Sequence, residues 1–275
     1  MRSLPSVIAG MVALVAALVT VPLLWVSTHV ADEDGYVAFS STLATDDELQ
    51  AAFAAYLADD YVQRGLLPAA LQETAAAALT SAAQLTTNQP GFVEAWEQTQ
   101  LSLHRSAFSD TSGPLTVDMD PMAAFVASRV GALLPVSLPV ATGLQVPIGT
   151  VQDRDRVAAV DRSTTFGLIG LMVVVGAAAV SLIAARSRPV AFVGLGLAAL
   201  ATAGILRVVT EIVTPRLIER AQGSTAFSRT FQELLFDRVA DSLAGWLGWI
   251  AIGGGVALVL GVVGRLVSGR PAVRH

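Results

Sequence analysis

Four uncharged apolar runs constrain this chain more than any other feature: residues 7–26, 166–185, 190–206 and 243–263. At 1.5 Å per residue, roughly 20 such residues cross a bilayer core about 30 Å thick. Lipid offers no hydrogen-bond partner to backbone N–H and C=O groups, so segments of this length cross as helices. The low content of charged residues, 14% against about 25% in soluble domains, follows from the same four runs.

The first run competes with a cleaved signal peptide. A signal peptide has a shorter apolar stretch and ends in small residues at its cleavage site. Here the run leads into Trp25, Val26, Ser27, Thr28 and His29, with His29 where cleavage after Ala31 would need a small residue. An uncleaved signal anchor is therefore expected. Trp246 and Trp249 open the last run and suit a membrane interface.

Charge then sets direction. Arg2, Arg186, Arg188, Arg265, Arg270 and Arg274 lie in segments without an acidic residue, whereas all 22 acids and the other 11 Arg lie in the alternate segments. Cytoplasmic loops are enriched in basic residues, so both ends are expected in the cytoplasm. The expected order is a cytoplasmic stretch at 1–6, a span at 7–29 and an extracytoplasmic domain at 30–163. A span at 164–185, a cytoplasmic turn at 186–189 and a span at 190–206 follow. The chain then has an extracytoplasmic amphipathic segment at 207–242, a span at 243–264 and a cytoplasmic tail at 265–275. The fold class is an all-α membrane protein of four transmembrane helices in the bacterial plasma membrane, with a mainly helical extracytoplasmic domain.

Within residues 30–163, Thr45 before Asp46, Asp47 and Glu48 reads as a capped helix start, with Leu49, Phe53, Tyr56 and Leu57 on one face. A second helix is expected over 68–85, with Leu71, Ala75, Ala78, Leu79 and Ala82 inward. A third starts near Pro90 and aligns Phe92, Trp96, Thr99 and Leu103. A fourth starts at Asp120 and Pro121, with Asp120 as cap, and turns Met122, Phe125, Val126, Val130 and Leu133 inward. Residues 115–119 alternate and 144–148 partly alternate, which suits a small β element. From Asp153 a helix is expected to run unbroken into the second span. In 207–242, Arg207 and Glu211 are spaced to pair. Phe227, Phe231, Leu234, Leu235 and Val239 form an amphipathic face capped near Ser224; two helices are expected to extend the third and fourth spans outward and pack on the large domain, with Pro215 kinking or ending the first of them.

Chemistry is sparse. With no Cys, disulfides and thiolate metal sites are excluded, and with no Lys every basic residue is Arg. The net charge of −5 gives no support for nucleic-acid binding. His104 with Glu94 and Glu97 can share a helix face, the arrangement closest to a metal site, but one helix rarely completes a site and His104 is better read as packing near Trp96. Asp118 and Asp120, near Asp110, lack the Gly and distal Glu of a calcium loop. No Gly-x-Ser-x-Gly or Walker sequence occurs, and Ser-x-x-Lys is impossible without Lys. No catalytic, cofactor-binding or metal-binding residue is assigned, and a non-enzyme is expected. None of the spans holds an intramembrane charge of the kind that marks transport routes. Gly176, Gly194, Gly204, Gly253 and Gly261 favour close helix packing instead.

The motifs at Leu66, Leu67 and Pro68, at 91–96 with His104 in the same helix, at 115–119, and at 153–162 resemble a group of uncharacterised actinobacterial integral membrane proteins. Those proteins have an N-terminal anchor, a helical external domain and three C-terminal spans. The resemblance covers nearly the whole chain and implies a topology and an envelope location, with no activity attached.

The first functional expectation is a multi-pass envelope protein presenting residues 30–163 and 207–242 to an envelope or membrane protein partner. The second is a lipid-binding or lipid-transport accessory whose Phe227 and Phe231 face opens a groove to the bilayer. The third is a channel or transporter without charged gates. Membrane lipids are expected partners, and the small-residue faces also suit a homo-oligomer.

Overall fold

The computed structural model describes residues 4–65, 89–109, 113–133, 140–152, 162–219 and 225–268, with isolated positions 80, 81, 85, 157 and 160. In chain order the described elements are α1 (Leu4–Val26), α2 (Glu33–Ser41), α3 (Asp47–Gln63), α4 (Phe92–Ala107), β1 (Thr116–Asp118), α5 (Asp120–Leu133), β2 (Gln145–Pro147), α6 (Ser163–Ala184), α7 (Arg188–Glu219) and α8 (Ala226–Ser268). A π-helical turn, Ser27–Ala31, follows α1. Four helices, α1 with its following turn, α6, α7 and α8, are long and apolar enough to cross a membrane. The residues group into two units: Met1–Ser27, Arg162–Arg216 and Arg238–His275 form unit 1, and Thr28–Asp161 with Leu217–Asp237 form unit 2.

Unit 1 is assembled from two antiparallel helix pairs whose contacts run through small residues. In the α1–α6 pair, Ser6 Oγ donates to the Ser181 carbonyl at 3.0 Å and Ser181 Oγ to the Ser6 carbonyl at 3.2 Å. Farther along, Gly170 faces Thr20, Gly167 faces Leu24, and Ser27 Oγ lies 2.9 Å from Thr164 Oγ1. In the α7–α8 pair, a Cβ added at Gly196 would lie 2.6 Å from the Gly254 carbonyl oxygen, and one at Gly261 would lie 2.6 Å from that of Pro189. Apolar association gains little between helices already surrounded by lipid, so close van der Waals packing has to hold them. Trp25 Nε1 donates to Ser242 Oγ at 3.1 Å, and Ala203, Leu206 and Leu247 form a small core with Leu18 and Val21. These contacts join α1, α7 and α8.

Several boundaries differ from the apolar runs. The α-helical part of α1 ends at Val26, and the chain passes through the π-turn to Asp32, whose carboxylate caps α2 by accepting from Gly35 N at 2.8 Å. Helix α7 continues past Leu206 to Glu219, and α8 begins at Ala226, well before Leu243. Pro215 does not end α7: it removes one backbone donor within the final turns, and the helix continues to Glu219. The Arg207–Glu211 pair forms at 2.8 Å. Asp153, Arg154, Asp155, Arg156 and Asp161 lie outside the described residues. Helix α6 starts at Ser163, with Arg162 in the turn before it.

In unit 2, α3 starts one residue later than expected because Asp46 rather than Thr45 is the cap. The Asp46 carboxylate accepts from Glu48 N at 3.0 Å and Leu49 N at 3.1 Å, while Thr45 Oγ1 donates back to the Thr42 carbonyl. A carboxylate at that position meets both free N–H groups and the positive end of the helix dipole. Leu49, Phe53 and Leu57 are buried, with Tyr56 half-buried. Helix α4 is entered through Gly91 at φ +96°, a conformation that L side chains rarely adopt, and its expected face of Phe92, Trp96, Thr99 and Leu103 is buried. The alternating stretches pair as antiparallel β1 and β2, with Val117 opposite Val146 and both side chains buried. The expected helix over 68–85 lies largely outside the described residues, including Leu71, Ala75, Ala78, Leu79 and Ala82, as do Leu66, Leu67 and Pro68. The side chains of Val130 and Leu133 are likewise not described.

The core of unit 2 is completed by residues far away in the chain. Phe227 and Phe231, each 1% exposed, pack among Phe53, Tyr56 and Trp96 with ring centroids 5.9–6.1 Å apart. Ser224 lies outside the described residues. Thr225 caps this part of α8: its Oγ1 accepts from Ser228 N at 3.0 Å, and Ser228 Oγ accepts from Thr225 N at 3.0 Å. The Gln232 side chain donates to the Ile148 carbonyl beside β2.

The packing of α7 distinguishes two glycines two residues apart. Gly196 is filled by the α8 backbone, whereas a Cβ at Gly194 meets nothing within 4 Å. Gly196→Leu is expected to cost about 1–3 kcal/mol through overpacking, and Gly194→Leu little. Thermal unfolding of the purified protein in detergent checks this; equal melting temperatures for the two variants would contradict the assigned contact.

Candidate functional site

His104 lies on the buried face of α4 and does not meet the carboxylates with which it shares the helix. Its ring sits between those of Tyr36 and Phe108, at centroid distances of 5.3 and 4.5 Å. Its Nε2 lies 3.0 Å from the Val30 carbonyl, which can only accept, so this nitrogen donates. Glu94 is exposed and Glu97 half-exposed. Among the described residues no three His, Asp or Glu side chains are grouped to hold a metal ion. His104 thus ties α4 to the turn after α1, and its ring neighbours are Tyr36 and Phe108 rather than Trp96. Trp96 instead donates from Nε1 to the Ser40 carbonyl at 2.9 Å.

A polar group that sequence reading did not single out lies beside His104. Tyr36 O–H donates to Gln100 Oε1 at 2.9 Å, and burial pushes the Tyr36 phenol far above its ordinary range. Gln100 Nε2 and Thr99 Oγ1 are buried without a hydrogen-bond partner among the described residues. On the outer side of α4, the Arg105 guanidinium grips Glu33 through two 3.0 Å bonds. This contact lowers the Glu33 carboxyl below its usual value and raises Arg105. It joins two charged groups exposed to solvent, where an ion pair adds little stability.

Asp120 has a role different from the expected cap. It is the first residue of α5, and its carboxylate reaches across to the approach to β2, accepting from Gly143 N at 2.8 Å and Leu144 N at 2.7 Å. Asp118 supplies the local turn by accepting from Asp120 N at 3.0 Å. Sequence placed Asp120 at a helix start but carried no sign of a loop arriving 23 residues later. Asp110 lies outside the described residues.

The described residues also border concavities in both units. In unit 2, a cavity of about 550 Å³ lies between α3 and the start of α8, bordered by Tyr56, Asp59, Asp60 and Thr225. Asp60 is held by Arg64 at 2.9 Å. In unit 1, an open, mainly apolar cavity of about 790 Å³ lies against α1 and α7, with Arg186 and Ser187 among its polar border. Phe227 also lines the unit 2 cavity, and both Phe227 and Phe231 are buried in the unit 2 core. Comparison with family models, curated proteins and solved structures gives no match.

The Asp120 clamp is directly testable. Removing the acceptor in Asp120→Ala leaves Leu144 N–H buried and unpaired, a loss of about 2 kcal/mol. Hydrogen exchange across 143–148 is expected to accelerate in Asp120→Ala and less in Asp120→Asn. Unchanged exchange in the alanine variant would refute the clamp.

Proposed function

We propose that this protein is a non-enzymatic, multi-pass protein of the bacterial plasma membrane that displays unit 2 outside the cytoplasm as an acidic recognition module. The supporting observation is the division of charge along the folded units. Unit 2 holds 20 of the 22 acidic residues and seven Arg, whereas unit 1 holds two acidic residues and ten Arg. Six of the ten Arg of unit 1 (Arg2, Arg186, Arg188, Arg265, Arg270 and Arg274) lie in short segments without an acidic residue, which is what the positive-inside rule asks of the cytoplasmic face. The Arg186–Arg188 turn and both chain ends are then cytoplasmic, and residues 30–163 and 207–242 face outward.

An acidic module of this kind repels anionic wall polymers and favours a partner with a basic contact surface. Its rings Trp96, Phe227 and Phe231 are in the core, and the large apolar side chains it exposes are scattered ones such as Val93, Val140 and Val151. Recognition would therefore rest on its polar surface, with a marked dependence on salt.

The absence of Cys makes the test clean. Glu94→Cys in unit 2 and Ser187→Cys in the short turn each carry one thiol. In intact cells a membrane-impermeant maleimide is expected to label Glu94→Cys at once and Ser187→Cys only after permeabilisation. The reverse pattern would overturn the orientation. A photo-crosslinker on the Glu94→Cys thiol should capture a reproducible membrane-protein partner in low salt and lose it in high salt; crosslinks to lipid alone would overturn the partner reading.

A further inference from the structure

The 790 Å³ cavity in unit 1 has an asymmetric chemistry. One wall is α1, through Val7, Gly10, Met11 and Leu14, and the other is α7, through Val190, Gly194 and Ala198. At 1.5 Å per residue, the lining from Ser6 to Leu14 covers about 12 Å of helix and that from Val190 to Ala201 about 16 Å, close to the depth of one leaflet. Gly10 and Gly194 border this space with nothing within 4 Å of an added Cβ, unlike the tightly filled Gly196, Gly254 and Gly261. The protein therefore does not use the small size of Gly10 and Gly194 for its own helix contacts.

Among the described residues that line the cavity, the charged one, Arg186, lies at one end. Ser6 and Ser181 are tied to each other's carbonyls. Arg186 is exposed and, among the described residues, makes no ion pair with a carboxylate. The first turn of α7 already uses its Val190 and Ala191 N–H groups on the Ser187 carbonyl and Pro189 has none, so the Arg186 guanidinium is the group that offers charge to an anion here. A groove one leaflet deep, apolar along its length and cationic at its mouth, matches a lipid with an acyl chain and an anionic headgroup.

We propose that unit 1 binds one anionic glycerophospholipid, its acyl chain between α1 and α7 and its phosphate at Arg186. The choice of the inner leaflet rests on the orientation proposed above; binding by the purified protein does not.

Native mass spectrometry of the full-length protein tests the site, with phosphatidylglycerol and phosphatidylcholine of matched chains as probes. The wild type is expected to retain one phosphatidylglycerol with about fivefold preference, the effect of one basic residue near a phosphate. Arg186→Gln should erase the preference while retaining chain binding. Arg188→Gln, in the same turn but outside the cavity lining, should keep it. Gly194→Phe and, independently, Gly10→Phe should fill the groove and abolish retention of both lipids. Glycerol phosphate should give no adduct, which separates a lipid site from a phosphate site. Equal retention of the two lipids by the wild type, unchanged binding in both phenylalanine variants, or a dimer dissociated by those substitutions would overturn the proposal.

Discussion

The rest of unit 1 depends on backbone-to-backbone approach at glycine. A bilayer removes the usual reason for apolar helices to associate, because lipid tails solvate leucine as well as another helix does. What remains is dispersion between surfaces close enough to touch, and that distance is set by the smallest side chains. Gly196 and Gly254 face each other across α7 and α8, and Gly261 lies against Pro189 and Val193. On the other pair, Gly170 and Gly167 receive Thr20 and Leu24. Serine adds direction where two helices meet: the reciprocal Ser6 and Ser181 bonds fix the register of α1 against α6 as well as their separation.

Unit 2 follows a different logic, that of a water-soluble core. Asp32, Asp46 and Thr225 cap α2, α3 and the start of α8, and Trp96, Phe227 and Phe231 are inside. Polar groups within it are mostly anchored to backbone: Trp96 to Ser40, His104 to Val30, and Asp120 to Gly143 and Leu144. These bonds join segments that propensity alone would leave independent. They explain why residues resembling candidate ligands in a linear reading serve as fasteners.

The parts legible in the sequence were those written in local pattern. Apolar length marked the four long helices, and spacing of three and four marked the buried faces of α3 and α4. Alternation around Val117 and Val146 indicated the two short strands. The missed features depend on partners distant in sequence. Asp120 next to a proline looks like a cap until the loop at Gly143 arrives. Phe227 and Phe231 were legible as an inward face, but the rings they meet, Phe53, Tyr56 and Trp96, were not. Glycine was legible as small but not as filled or open: Gly194 and Gly196 are equivalent in the sequence and opposite in the structure. The same limit concealed the cavity beside Gly10, since two helices distant in the chain must come together before a groove exists.

The discontinuous core of unit 2 also imposes an order on synthesis. Phe227 and Phe231 leave the ribosome after the apolar stretches of α6 and α7, so residues 30–163 wait with an open aromatic socket while two more hydrophobic helices are made. Until the start of α8 is made and docked, Phe53, Tyr56 and Trp96 lack their ring partners, so the core of unit 2 closes late in synthesis.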